Sequence, residues 1–151
     1  MRALIQRCTS ASVSTEGKPA RCIGPGLVVL LGVGPQDDEA CAGRLWGKVA
    51  RLRIFADEAG KTNLSLRDVG GSVLLVSQFT LYASCRKGNR PSFTGAAPAP
   101  QAEALYGHFA SLVAADGIEV QTGWFGADMD VRLVNSGPFT IWLDTDELGG
   151  S

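Results

Sequence analysis

The chain has 151 residues, of which 45% are hydrophobic and 19% charged. That suits one domain, 1–151, with a real core, and excludes a disordered or low-complexity chain. Fourteen Lys and Arg against fifteen Asp and Glu leave a net charge of −1, which argues against a large basic surface wrapping long nucleic acid but allows a local patch touching a few phosphates.

Taken in chain order, residues 2–16 are rich in β-branched side chains and lead into the turn formed by Glu16, Gly17, Lys18 and Pro19, which predicts a hairpin. A second turn at 23–26 launches residues 27–33, a short continuous apolar run that predicts a strand buried on both faces. Its first part, Leu27 to Leu31, is the longest apolar run and is far too short to span a bilayer. Residues 35–39 open a helix with acids in its first turn, and Ala42, Leu45, Val49 and Leu52 form its buried face. Residues 64–68 are a short strand candidate, and 72–81 a second apolar strand that ends on Ser77, Gln78 and Thr80. A basic loop follows at 86–91. Residues 100–115 carry Ala102, Leu105, Phe109 and Leu112 at helical spacing. Residues 118–122 and 130–135 alternate as strands do, Gly137 and Pro138 interrupt, and 139–143 form the last strand. Many strands with two helices predict an α+β fold: a single domain, with a curled, mostly antiparallel sheet or barrel and two main helices.

Several chemistries are excluded. Cys8, Cys22, Cys41 and Cys85 contain no Cys-x-x-Cys pair and have no neighbouring His, so they read as reduced small hydrophobes rather than zinc ligands. His108 is the single histidine and falls on the flank of its helix, where a structural role is the ordinary one. A hydrolase built on this chain works without an imidazole base. No Gly-x-Gly-x-x-Gly opens a helix and no Gly-Lys-Ser/Thr occurs, so Rossmann and P-loop chemistry are out.

Three places are left for chemistry. Ser77, Gln78, Phe79 and Thr80 end a buried strand, where a sheet offers backbone N–H groups and hydroxyls to a ligand; the plain alternative is a strand that surfaces. Arg86, Lys87 and Arg90 put three cations within five residues, either a solvated loop or a phosphate clamp. Gly137 and Pro138 form either a tight turn or a cis Gly-Pro unit that aims two carbonyls at a ligand. Residue types alone leave these choices open.

The chain resembles a D-aminoacyl-tRNA deacylase, of the D-tyrosyl-tRNA deacylase family, from end to end. The segments that carry the resemblance are MRALIQR at 1–7, IGPGL at 23–27, LRIF at 52–55, NLSL at 63–66, DVGG at 68–71, SQFTLYA at 77–83, RKG at 86–88, RPSF at 90–93, FGADM at 125–129 and NSGP at 135–138. SQFT and the late Gly-Pro are the diagnostic pair. Thr62, in place of Met, and Cys85, in place of a polar residue, depart from the pattern.

The N-terminal residues 1–7 hold no apolar stretch of signal-peptide length, which predicts a soluble, cytoplasmic protein, and the resemblance implies a homodimeric hydrolase that cleaves the ester joining a D-amino acid, and also glycine, to the 3′ end of tRNA, with no cofactor and no metal. It implies that Gly137 and Pro138 form a cis peptide reaching into the partner subunit's pocket, accept hydrogen bonds from the substrate's α-amino group and reject an L side chain by collision. Arg7 is expected to brace that loop, with Met129 in support. Phe79 N–H is expected to stabilise the oxyanion, with Gln78 and Thr80 lining the adenosine and ester end and Ser77 closing the wall. The competing readings are a non-catalytic module that binds an RNA end or nucleotide, and an esterase using Thr80 as nucleophile, which lacks an evident base.

Overall fold

The computed structural model describes residues 1–149. Its centre is β3 (Gly26–Gly32), which pairs antiparallel with β1 (Arg2–Ser14) on one side and parallel with β6 (Ser72–Ser77) on the other. β7 (Val120–Thr122) extends the parallel half beyond β6. β2 (Arg21–Ile23) continues beyond β3 along the same edge of β1, and β8 (Asp130–Asp144) covers the other edge. The result is one six-stranded mixed sheet, curled nearly into a barrel, whose longest ladders are antiparallel as expected. β4 (Phe55–Ala56) and β5 (Thr62–Leu64) form a small separate hairpin.

Alternation along the strands divides the core in two. Leu27, Val29 and Leu31 of β3 and Val73 and Leu75 of β6 face the two helices, whereas Val28, Leu74 and Val76 point into the curl. β1 changes face along its length. Ala3 and Ile5 serve the helical side, but a bulge between Cys8 and Ser10 turns Ala11 and Val13 into the curl.

Helix α1 (Glu39–Arg51) starts where Asp38 caps it, with its carboxylate accepting from Cys41 N–H at 2.8 Å. Pro35 therefore lies in the turn before the helix, and Asp37 bonds elsewhere. Its carboxylate accepts from Gly34 N–H at 2.6 Å and from the Met1 amino group at 2.6 Å. Helix α2 (Ala99–Ala115) packs against α1 through Trp46 and Phe109, edge to face with ring centroids 5.9 Å apart. No helix among the described residues is long and apolar enough to cross a membrane.

Three local expectations fail. The strand expected over 64–68 is instead the end of β5 followed by a turn, because the Asp68 carboxylate folds back onto Ser65 N–H and Oγ, both at 2.8 Å. The strand expected over 72–81 stops at Ser77, and residues Phe79–Tyr82 form a single 3₁₀ turn. At the far end, the two strands expected around Gly137 and Pro138 are one long β8, from which the Gly-Pro bulges.

Candidate functional site

The end of β6 is turned out of the sheet by contacts at β3. Gln78 N–H donates to Leu31 O at 2.8 Å, the last bond of the ladder. The chain can then fold back over β3 because Gly32 and Gly34 carry no side chain. A Cβ on Gly32 would lie 3.0 Å from Gln78 O, and one on Gly34 would lie 2.8 Å from the Tyr82 hydroxyl. These two glycines shape the site, yet they belong to no nucleotide-binding motif and nothing in their own segment marks them. Their use is close backbone approach to a turn distant in sequence.

The far end of the turn is clamped. The Arg2 guanidinium donates to Leu81 O at 3.0 Å and to Asp144 at 2.8 Å, and lies 4.3 Å from the centroid of the Tyr82 ring. Burial, then the charges of Asp37 and Asp144, push the Tyr82 phenol well above its ordinary range, so it stays a neutral donor. The phenol oxygen sits 3.4 Å from the Asp37 carboxylate. Asp144 titrates below the ordinary carboxylate value. Burial alone would raise it, but the hydrogen bond from Arg2 and the Asp146 N–H prevail.

Between these anchors, Ser77, Gln78 and Phe79 line a cavity of about 350 Å³. The rest of its wall is apolar and small-featured: Leu31, Val33, four alanines and the rings of Phe93, Tyr106 and Phe125. Phe79 meets Phe93 edge to face at 5.0 Å and remains 56% exposed at the rim. Tyr106 donates its hydroxyl to Leu75 O at 2.8 Å, and burial pushes its pKa up to about 12. Thr80 lies one step beyond the lining, exposed, with its hydroxyl accepting from Gln78 Nε2 at 2.5 Å. Gln78 N–H is used by the ladder, but among the described residues neither Phe79 N–H nor Thr80 N–H meets a backbone carbonyl. Two adjacent backbone donors are thus presented at the rim of an apolar cavity, as the first turn of any helix presents them. That arrangement can bind a flat apolar group in the cavity and stabilise negative charge at its mouth.

The other expected residues are not part of this cavity. Arg86, Lys87 and Arg90 lie on an exposed loop closed at its base by Ser84 and Ser92, which exchange backbone hydrogen bonds of 2.8 and 2.9 Å. Met129 lies on the other face of the sheet, where its sulfur accepts from Trp124 N–H at 3.3 Å. His108 is half-buried on α2, with Nδ1 4.0 Å from Glu39 of α1, outside the cavity lining. Among the described residues, no three His, Cys, Asp or Glu side chains gather as a metal site would need.

Gly137 and Pro138 lie toward the opposite edge of the sheet, in β8. Cys8 pairs with Asn135 and Gln6 with Thr140, so Arg7 alone faces residues 136–139. The chain bulges there, with the Gly137–Pro138 peptide in the cis form and Gly137 at φ +138°. Arg7 holds the bulge. Its Nε donates to Ser136 O at 2.8 Å, its Nη1 donates to Ile54 O at 2.5 Å, and it lies 4.7 Å from the centre of the Phe139 ring. Asn135 closes the base, accepting from Phe139 N–H at 2.6 Å and donating to Thr140 Oγ1 at 2.9 Å. Three strand spacings and four residues of β1 separate this bulge from Ser77, roughly 20 Å along the sheet.

Comparison with known proteins bears on the same chain. The family described as D-Tyr-tRNA(Tyr) deacylase matches residues 4–144. A D-aminoacyl-tRNA deacylase of Thermomicrobium roseum is 58% identical over 150 residues, covering 99% of this chain and 97% of that protein. One from Ruegeria pomeroyi is 56% identical over 144 residues, covering 95% and 99%. Among solved structures, the c-Myc DNA Unwinding Element Binding Protein superposes with a TM-score of 0.89 at 39% identity, over 95% of this chain and 98% of that one. A probable eukaryotic D-amino acid tRNA deacylase, at 20% identity, shares the fold with a TM-score of 0.82 over 94% and 97%.

Proposed function

The chain belongs to the D-Tyr-tRNA(Tyr) deacylase family, whose members are hydrolases of the aminoacyl-tRNA ester, and from that premise we propose how its own residues divide the work. The substrate is a D-aminoacyl-tRNA, with glycyl-tRNA accepted because glycine carries no side chain to exclude. The products are the free amino acid and tRNA, formed in the cytoplasm.

One observation carries the reading: an apolar cavity with unmet backbone donors at its mouth. The cavity, about 350 Å³, has the size and the aromatic and alanine lining for the terminal adenine. With the base seated there, the 3′ ester falls at the Ser77–Thr80 rim. Phe79 N–H then stabilises the developing oxyanion, an interaction whose removal costs about 10²–10³ in rate. Gln78 and Thr80 flank the ester and Ser77 closes the wall. No imidazole lines the cavity, and the ribose 2′-OH beside the ester supplies the missing polar group, held there by proximity. The exposed Arg86, Lys87 and Arg90 take nearby phosphates.

Selection against L substrates falls to Gly137 and Pro138, braced by Arg7. One copy of the chain separates this bulge from the cavity by roughly 20 Å along the sheet, so a second copy must deliver it. The outer edge of β8 supports that assembly. It has no strand partner among the described residues, and its Val134 and Trp142 are 58% and 42% exposed. The active unit is therefore a homodimer.

Hydrolysis of D- and L-aminoacyl-tRNA under single and multiple turnover tests the reading. Expected are release of D-amino acid beyond one equivalent of enzyme and survival of the L ester. Equal rates on the two would overturn the selection mechanism, and no release of amino acid above the uncatalysed background would leave only a binding module. A tRNA ending in 2′-deoxyadenosine should bind nearly normally and react far more slowly; equal rates would assign water activation to a protein group instead.

A further inference from the structure

On α1, Arg44, Lys48 and Arg51 follow one another at steps of four and three residues, so they share one face of the helix. All three are exposed. The surrounding stretch, 40–56, holds these cations and Arg53 and no Asp or Glu, in a chain whose carboxylates outnumber its cations. The stripe is about 10 Å long at the helical rise and ends in a shallow depression of about 320 Å³ lined by Ala50, Arg51, Arg53, Ser65, Arg67 and Asp68.

The depression sets three arginines, Arg51, Arg53 and Arg67, against one carboxylate. Its one acid, Asp68, already accepts from Ser65 N–H and pairs with the Ser65 hydroxyl. Arg53 is held in place as its Nε donates to Asn63 O at 2.9 Å. Arg67 shares Asp116 with Trp46. Among the described residues, Arg44, Lys48, Arg51 and Arg53 form no ion pair. The helix dipole accounts for Lys48 and Arg51 in the last turn, but not for Arg44 in the first half or for Arg53 and Arg67 outside the helix.

The position of the stripe gives it a partner. Ile54, the residue after Arg53, offers the carbonyl that Arg7 binds with one hand while holding Ser136 O with the other. The basic depression and the Gly137–Pro138 bulge are thus joined through one side chain. In the homodimer of the proposed function, on which this step rests, the bulge enters the partner's cavity and brings the depression beside a 3′ adenosine bound there.

We propose that Arg44, Lys48, Arg51, Arg53 and Arg67 form a second phosphate-binding surface, which takes the sugar–phosphate backbone of the acceptor stem whose 3′ end occupies the partner subunit's cavity. Each subunit then contributes its catalytic turn to one tRNA and its α1 stripe to the other. Point cations spaced along a helix suit a backbone of regularly repeated negative charge, and they add affinity without reading sequence.

The triple variant Arg44→Gln/Lys48→Gln/Arg51→Gln tests this, with kcat/KM measured across a salt series on D-aminoacyl-tRNA and on D-aminoacyl-adenosine, which lacks the stem. Expected is a loss of about tenfold or more on the tRNA at low salt, with the log–log salt slope shallower by about one for each phosphate no longer neutralised. Activity on the adenosine ester should be unchanged, and Arg44→Lys/Arg51→Lys should keep the tRNA slope. Unchanged tRNA kinetics, as a surface for an acidic protein would give, overturns the proposal, as does an equal loss on both substrates. If the native protein hydrolyses neither substrate, the deacylase reading itself fails. The stripe is then judged by anisotropy with uncharged tRNA, whose salt slope must still drop in the triple variant.

Discussion

The 3₁₀ turn at 79–82 and the bulge at 136–139 both leave the sheet, but they are held in opposite ways. The turn is fixed from several sides: Gln78 to Leu31, Leu81 to Arg2, Tyr82 between Arg2 and Asp37, and two glycines beneath it. The bulge depends on Arg7 for its hydrogen bonds to the rest of the chain, with Phe139 packed at the margin of the core and Asn135 and Thr140 closing it locally. A backbone donor aimed at a developing charge needs its direction fixed before reaction, which many modest contacts provide. In the proposed function the bulge is a steric filter received by a second subunit, a role that calls for a firm brace and open space around it. The two regions should therefore respond differently to single substitutions.

The sharpest break is at the donor. Phe79→Pro removes the N–H at the first position of the 3₁₀ turn, where proline is tolerated. It should lower kcat about 10²–10³-fold relative to Phe79→Ala, which keeps the N–H and loses the same ring. Equal single-turnover rates for the two variants would mean that the Phe79 N–H carries no charge stabilisation.

At the bulge, Arg7→Ala should act on discrimination more than on chemistry. Removal of a charged donor from Ser136 O and Ile54 O should cost about 1.5–3 kcal/mol of stability. The D-to-L ratio of kcat/KM should fall about tenfold as the bulge loses its direction. Gly137→Ala should narrow that ratio too, because φ is +138° there and the new Cβ would lie 3.0 Å from Arg7 Nη2. Parallel assays on D and L substrates check both; an unchanged ratio with lower melting temperature would reduce Arg7 to a structural role.

At the turn, Arg2→Gln should do less, because Gln78 and the glycine contacts remain. A severalfold fall in kcat with KM little changed is the expected signature of a loosened donor, and a rise in KM alone would contradict it. Smaller still is the acid response of the Arg2–Asp144 pair. A carboxyl whose folded pKa lies below its unfolded value adds stability above the unfolded value, and that stability is lost as pH falls through the folded one. Asp144 departs downward from 3.8, and Asp38, Asp68 and Asp116 move the same way. Melting temperature should therefore decline as pH drops below about 4. Asp144→Asn should be less stable at neutral pH and show a shallower decline, measured by thermal melts from pH 7 to pH 2. His108→Ala should change neither rate nor selectivity, since its imidazole faces Glu39 away from the cavity. A fall in kcat of about 100-fold with the fold intact would make it a general base.

What the sequence determined by itself was local. Continuous apolar runs and period-2 alternation marked β3, β6 and β8, and helical spacing marked α1 and α2, because burial of a strand or a helix face is written into neighbouring residues. Family motifs likewise marked 77–80 and 137–138 without any tertiary neighbour being known. The tertiary structure decided what no run of residues encodes. It set the end of β6 at Ser77, through the Leu31 carbonyl and the room left by Gly32 and Gly34, residues far upstream in the chain. It made one strand of 130–144 by pairing both halves with β1. It also put Arg7 opposite the Gly-Pro bulge, and the bulge far from the cavity. These placements depend on pairing register and close backbone approach between distant segments. Hydrophobic pattern fixes which face a strand buries, but leaves open which distant carbonyl its last amide will meet.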